Sequence, residues 1–466
     1  MKRQIIFITL LLLSAHLVAQ TETPLSNGTG RYGVGTTTTQ DYQSVGINPA
    51  NLGMFDKTTN VVTIGLGSIS CYVHSDALIG SQILQGFFSN DALTSQQQAD
   101  AAIAFASKGL NGGAEIQPFA VSVQFPKVGG FAFNWKNKMS STIQLNPMMA
   151  DLVFKGINSS YYDSIVMDNM GNQIGILDSA LSYSDALNGT KVKFDWYHEL
   201  DFSYGRKIIS TDHIKLYGGA TLKYIVGLGI VDVAFENGGA SGYSATSPYL
   251  KVEYGDVNIQ NPVIGHGIKP VGKGMGFDFG TTISIYDKLK IGASILDIGK
   301  ITWTGNSMTL QDGFMDSLAN FSGWNSFDFT DNLGEVFDAT GLLSWTTGTD
   351  HIVTLPTRIR VGASISPIKK LTVAIDAIQP FNKVPGNLTK TYFAIGADWA
   401  FTPGFRVNTG IVGGGETDLD VPFGLSFGVG PIKTYQFGIA TGDILSLFKQ
   451  NKPTLSLAIE FVRLQF

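Results

Sequence analysis

Residues 28–53 read GTGRYGVGTTTTQDYQSVGINPANLG, and this stretch sets the terms for the rest of the chain. It is rich in Gly and Thr, carries only Arg31 and Asp41 as charges, and closes on Asn48-Pro49-Ala50-Asn51-Leu52-Gly53. No apolar period of 2 or 3.6 runs through it, so alone it forms neither a half-buried strand nor an amphipathic helix. The Pro set among Asn residues, with Gly53 behind it, marks a defined turn and not a loose tail. A segment of this kind holds one shape only when other structure surrounds it.

Upstream, Lys2 and Arg3 precede a mostly apolar run from Ile5 to Val18, and Ala19 stands before Gln20. A basic start, a short apolar stretch and a small final residue define a secretory signal peptide over residues 1–19. A spanning helix needs about 20 apolar residues; this run is shorter and ends in polar Gln20-Thr21-Glu22-Thr23. No Cys follows the cleavage point, so lipoprotein processing is not expected. Loss of Lys2 and Arg3 takes the formal net charge from −5 to −7. With no basic stripe to neutralise phosphates, nucleic acid is not an expected partner. The single cysteine, Cys71, allows no internal disulfide and no cysteine metal site.

Downstream, charged residues make up only 15% of the chain, against about 25% in an average globular protein. Glycines number 55 and aromatics reach 11%. Beyond the signal there is no apolar run long enough to span as a helix. An exported chain with few charges, much Gly and many aromatics matches an outer-membrane barrel, whose strands carry a weak alternating signal.

Alternation is indeed the recurring pattern. Val62, Ile64 and Leu66 alternate with Thr63, Gly65 and Gly67, and Phe119, Val121, Val123 and Phe125 with Ala120, Ser122 and Gln124. Between them, residues 94–109 read as a helix, with Thr94 or Ser95 as N-cap and Gly109 as the stop. Fourteen strands follow from the whole pattern, the last from Thr454 to Phe466. Their connections alternate long and short: 69–115, 126–128, 137–195, 207–212, 229–275, 287–288, 299–356, 367–369 and onward. Outer-membrane barrels sort short periplasmic turns and long extracellular loops onto opposite rims, whereas a soluble β-sandwich has no reason to. The fold expected is all-β: a transmembrane antiparallel barrel of 14 strands over residues 59–466. Residues 20–58 form an N-terminal periplasmic or plug segment, and the long loops are extracellular. The lipid bilayer of a Gram-negative outer membrane is its surroundings.

Within the strands one set of positions is Val, Ile, Leu, Phe and Trp, and the other Gly, Ser, Thr, Asp, Lys and Arg. In a membrane barrel the polar set faces the lumen. Arg358, Arg360 and Arg406 are therefore expected to line it, ion-paired with lumen carboxylates such as Asp376 and Asp398. KIGASI (290–295) and RVGASI (360–365) are expected in two equivalent strands that each follow a short periplasmic turn. At the C-terminus, Leu455, Leu457, Ile459 and Phe461 are out of phase with Val462, Leu464 and Phe466. A one-residue slip flips faces, so a β-bulge near Phe461-Val462 is required if all of these residues stay in the ladder.

The C-terminal pattern, with aromatic Phe466 last, resembles the terminal signal recognised by barrel-assembly machinery. The N-terminal stretch, with Asp41, Ser44 and Asn48-Pro49-Ala50 leading into the first strand, resembles the hatch of the long-chain fatty-acid transporter (FadL/TodX) family. It also resembles a related barrel that serves as a secretion accessory in the type IX system. The resemblance implies fourteen strands and a hatch, with Asn48, Pro49 and Ala50 shaping the plug. Two functions follow from it. The first is passive transport of hydrophobic small molecules. The alternative is a non-transporting barrel that binds secretion partners or other proteins.

An enzyme is not expected, and neither is a cofactor or a metal. Gly28 to Gly33 matches G-x-G-x-x-G, but a dinucleotide site needs a strand before it and a helix after it. Gly424 to Gly428 matches G-x-S-x-G, yet Ser426 sits inside continuous alternation and not at a strand-to-helix turn. The histidines show no metal spacing. Residues 299–356 carry several Asp and aromatic residues, Trp303, Trp324 and Trp345 among them. They are read as a solvated loop over the barrel mouth or, alternatively, as an aromatic groove for an apolar ligand.

Overall fold

The structure is a computed structural model. It describes residues 34–55, 59–75, 94–107, 109–171, 173–236, 239–246, 270–310, 314–319, 343–388, 390–402, 404–415, 417–429, 435–446, 448 and 454–466. The expected signal peptide (residues 1–19) and the Gly28–Gly33 motif lie outside these residues.

The alternating segments build one closed antiparallel ladder of fourteen strands. They are β1 (Val61–Ser75), β2 (Leu110–Phe125), β3 (Gly129–Gln144), β4 (Lys191–Ser210), β5 (Ile214–Glu236), β6 (Gly272–Ile285) and β7 (Leu289–Leu310). There follow β8 (Arg358–Ile368), β9 (Leu371–Pro380), β10 (Tyr392–Thr402), β11 (Phe405–Gly414), β12 (Phe423–Val429), β13 (Tyr435–Thr441) and β14 (Thr454–Gln465). Each strand pairs with the next, and β14 pairs back onto β1 from Thr63–Gln465 to His74–Thr454. Closure leaves no edge, which matters where no water can satisfy one.

The two faces differ as the alternation requires. Phe131, Phe202, Phe279, Ile375, Ile395 and Ile411 point outward and are exposed, while Asn134, Asp201, Asp278 and Asp376 point inward and are buried. This inverts a soluble sandwich and defines a barrel whose outer surface is solvated by lipid. Near the short-turn rim, Trp399 stacks on Phe401 at 4.6 Å, and Phe401, Phe405 and Phe427 continue the row. Such a row is the aromatic girdle of a membrane interface.

Several strands run past the ends predicted from alternation. Residues 137–144 continue β3, 229–236 continue β5 and 299–310 continue β7. Leu343–Thr354 pairs back on β7, from Lys300–Thr354 to Leu310–Leu343, and Gly239–Thr246 bridges β5 and β7. Beyond the lipid the outer face no longer has to be apolar, so the period fades while the hydrogen-bonded ladder persists. Helix α1 (Ser95–Ser107) starts where expected: Gln97 N–H donates to Thr94 Oγ1 at 3.3 Å and Thr94 N–H to Gln97 Oε1 at 2.8 Å. This is a reciprocal capping box, and α1 packs on α2 (Pro147–Lys155) through Phe105 and Phe154.

The KIGASI and RVGASI segments are not equivalent in direction. They pair with each other antiparallel, Gly292 opposite Gly362 and Ser294 opposite Arg360. The first leaves the short-turn rim and the second approaches it. Their likeness reflects a shared height in the wall, where both must meet the same interior surface. The C-terminal bulge is present: Gln436 pairs with Arg463 but Gly438 with Glu460, which leaves one extra residue at Phe461-Val462.

Candidate functional site

Residues 34–55 make two short 3-10 turns, Asp41–Ser44 and Pro49–Gly53, and nearly every residue in them is buried. Burial this complete of a Thr- and Asn-rich segment requires partners for its polar groups. The inward face of the barrel supplies them.

The first turn is held by β14. Tyr42 Oη donates to Glu460 Oε1 at 2.6 Å, and Gln43 Nε2 donates to the same oxygen at 3.1 Å. Asp41 forms an ion pair with Arg463. Glu460 and Arg463 are three residues apart, so in a regular strand they would face opposite ways. The bulge turns both inward, to 3% and 8% exposure. The register slip read at the C-terminus thus gives the segment two charged anchors. Phe466 lies outside this set; it is exposed, and its backbone pairs with Val62.

The second turn is held by β6 and by the segment itself. Asn48 Nδ2 donates to Thr282 Oγ1 at 2.9 Å and to Thr36 O at 3.0 Å, while Asn48 Oδ1 caps the turn by accepting from Ala50 N–H at 3.2 Å. Thr282 Oγ1 donates to Asn51 Oδ1 at 2.8 Å. Pro49 stands at the first position of the turn, where its missing N–H costs nothing. Ala50 is wholly buried beside Tyr217.

The start of the segment docks on β8 and β9. Thr36 donates to Asp376 Oδ2 from N–H at 2.9 Å and from Oγ1 at 2.6 Å, and Arg360 reaches the same carboxylate at 3.1 Å. Thr37 Oγ1 meets Ser364 Oγ at 2.8 Å. Arg360 and Asp376 are thus buried partners, and Arg406 pairs with Asp398 at 3.3 Å as expected. Arg358 pairs with a further lumen carboxylate, Asp297, at 3.7 Å.

Glycines are what the sequence reading missed. Gly130, Gly205, Gly219 and Gly280 sit directly opposite one another on β3, β4, β5 and β6, forming one row across the wall. The segment lies against this row. A Cβ on Gly219 would come 2.4 Å from the Pro49 carbonyl, one on Gly205 2.3 Å from Pro49 O, and one on Gly130 2.4 Å from Leu52 O. On β6, a Cβ at Gly280 would meet the Asn48 side chain at 2.1 Å. Close backbone approach of this kind admits only glycine. The available signal was that these glycines fall on the polar phase of their strands, near the short turns.

Beyond the segment lies a belt of buried charge. Lys223 contacts Asp278 at 3.1 Å and Glu199 at 3.7 Å, and also pairs with Asp297; Lys136 contacts Asp201 at 3.1 Å and Lys138 contacts Glu199 at 2.7 Å. Lys136 also reaches Val45 O at 3.4 Å, linking belt to segment. Further from the short-turn rim, a cavity of about 30 Å³ is lined by Asp195, Tyr197, Trp303 and Leu355 among others. Trp303, read as part of a long loop over the barrel mouth, solvated or forming an aromatic groove, is instead a strand residue, fully buried in β7. Most of the remaining aromatic and acidic residues of 299–356 lie outside the described residues. Ser426 is buried mid-strand in β12, opposite Arg406.

Replacing Lys223 by Met leaves Asp278, Asp297 and Glu199 without their shared cation. Breaking a buried pair costs roughly 3–5 kcal/mol. The expected result is a marked loss of heat resistance of the folded band on gel electrophoresis; a Lys223→Met barrel as resistant as wild type would contradict the belt's structural role.

Fold and site together define a membrane-spanning β-barrel of the outer-membrane type, with its N-terminal segment bonded to the inner wall. By sequence the chain belongs to the family of unknown function DUF5723, whose profile matches residues 53–437. No curated protein matches by sequence. Similar solved structures include the toluene transporter TbuX of Ralstonia pickettii, at 11% identity and a TM-score of 0.45, covering 96% of this chain and 98% of that one. A FadL homologue of Pseudomonas aeruginosa is 11% identical with a TM-score of 0.45, covering 97% and 98%. The toluene transporter TodX of Pseudomonas putida is 11% identical with a TM-score of 0.44, covering 96% and 97%. Likeness at this level carries no argument about substrate.

Proposed function

We propose that the protein is a passive outer-membrane channel for hydrophobic small molecules and that residues 34–55 are its plug. The observation behind this reading is how the segment is held. It bonds to β6, β8, β9 and β14, on widely separated parts of the wall, through side-chain hydrogen bonds and ion pairs. It adds no strand to the ladder. Contacts of that kind can be exchanged for water or solute one turn at a time, while the barrel keeps its own backbone bonds. Within this reading Asn48, Pro49 and Ala50 shape the plug, and Arg358, Arg360, Asp376, Asp398 and Arg406 line the lumen. Phe466 serves as the terminal signal for barrel-assembly machinery. Deletion of residues 34–55 is expected to raise uptake of small hydrophobic compounds into proteoliposomes at least several-fold. Unchanged uptake of every compound tested would sink the proposal.

A second reading, a secretion-accessory or protein-binding barrel, draws on a small three-stranded sheet separate from the barrel ladder, formed by Ser164–Met167, Gln173–Ser182 and Phe314–Ala319. Its edge strand Ser164–Met167 is exposed at all four residues, Ile165, Val166 and Met167 among them. An exposed edge of this composition suits addition of a strand from a partner. Crosslinking of intact outer membranes that recovers no partner at this edge would count against it.

A further inference from the structure

The short-turn rim has a charge of its own. In a chain of net charge −5, the turns and strand ends along the arc from β2 to β9 expose Lys127, Arg206, Lys288, Lys369 and Lys370. The exposed acids of those turns are Asp212 and Asp287, and Asp287 is already paired with Lys215 at 2.8 Å. Three of the four turns on this arc thus present lysines in the same direction, and Arg206, near the end of β4, adds a cation beside the fourth, whose own charge is Asp212. Backbone bonds tie some of them together, from Tyr286 N–H to His213 O and from Ser366 N–H to Lys288 O, so part of the arc is a fixed surface.

Large apolar side chains are interleaved with these cations. Val128, Ile209, Tyr286 and Ile368 are between 50% and 63% exposed at the same rim. They continue the outward apolar band of the barrel to its edge. Water is a poor neighbour for such a surface, and a soluble polyanion would leave the apolar half uncovered. A lipid leaflet satisfies both halves: acyl chains and glycerol meet the apolar residues, and headgroup phosphates meet the lysines.

We propose that this half-rim is a binding site for anionic phospholipid headgroups of the leaflet at the short-turn face. It rests on the outer-membrane reading, and takes the short turns as periplasmic, but it does not depend on transport. Its effect would be to seat one side of the barrel, where the glycine row lies, more firmly in the inner leaflet than the other.

The test uses the full-length mature protein in nanodiscs of equimolar phosphatidylethanolamine and phosphatidylglycerol, with lipids retained after detergent extraction read by native mass spectrometry. Each Lys or Arg close to an anionic surface favours it roughly fivefold, so phosphatidylglycerol is expected to be retained at least fivefold over phosphatidylethanolamine. The preference should fall as salt is raised. A variant with Lys127, Arg206, Lys288, Lys369 and Lys370 all changed to Gln should lose it, and the milder Lys369→Gln/Lys370→Gln pair should lose part. Heat-modifiability on gels reports whether each variant is folded. Equal retention of the two lipids by wild type overturns the proposal, and so does an unchanged preference in a folded variant. Binding of soluble polyglutamate without lipid preference overturns it in favour of an acidic protein partner. Solute flux measured on the same preparations separates this outcome from failure of the channel reading.

Discussion

Gly219→Val is expected to free the N-terminal segment while leaving the barrel assembled. The new Cβ would lie 2.4 Å from the Pro49 carbonyl carbon and oxygen and 2.6 Å from Ala50 N. These are backbone atoms of a buried turn, so no side-chain rotation relieves the overlap. Valine itself suits a strand, and no left-handed conformation is required at this position. The conflict therefore falls on the weaker partner, the segment, which is held by side-chain bonds, and not on β5, which is held by ladders on both sides. Hydrogen exchange at Asn48–Gly53 should accelerate by about two orders of magnitude, since loss of roughly 3 kcal/mol of local stability corresponds to that factor. Solute flux should rise with it. Unaltered protection at Asn48–Gly53 in a folded Gly219→Val barrel would mean that the segment does not lean on the glycine row.

Arg463→Ala is expected to have a comparable effect on the other turn. Arg463 is the cation that Asp41 pairs with, and Glu460 lies beside it, hydrogen-bonded to Tyr42 and Gln43. Removing it leaves two buried carboxylates facing each other, an arrangement that costs roughly 3–5 kcal/mol. The segment can relieve that cost by leaving, so protection should be lost over Asp41–Val45 and less so at the glycine row. The double variant Arg463→Ala/Asp41→Asn removes the orphaned charge along with its partner. It should regain part of the loss, a positive coupling in a double-mutant cycle. Additive losses would show that the two residues do not act as a pair.

The barrel was legible because its causes are repetitive. Alternation, loop sorting and an even strand count each follow from lying between lipid and lumen, so Val62, Phe119 and Ile395 each carry the same message. The bulge at Phe461-Val462 was legible for the same reason, since two phases cannot share one strand without it. Ion pairing of Arg360 and Arg406 with lumen carboxylates was legible as well, because arginines on the polar phase of a strand face an interior where a cation needs a carboxylate, most of all at buried Arg360. The particular partner of Arg358, Asp297, was not legible, because it sits near the end of a recognisable alternation and reads like a strand terminus. The glycine row was not legible. Gly205, Gly219 and Gly280 are far apart in sequence, and only the register between strands shows that they face one surface. The role of Glu460 and Arg463 was hidden likewise. Their bulge was foreseen, but its purpose depends on where Asp41, Tyr42 and Gln43 lie.

The central claim is that residues 34–55 must move for solute to pass. Thr37 Oγ1 and Ser364 Oγ lie 2.8 Å apart, one on the segment and one on β8. Cysteines at both positions, in a Cys71→Ser background, would pin the segment to the wall by a disulfide. The account predicts that uptake of a hydrophobic solute by proteoliposomes is lost on oxidation and restored on reduction. Equal uptake in the oxidised and reduced states would contradict it.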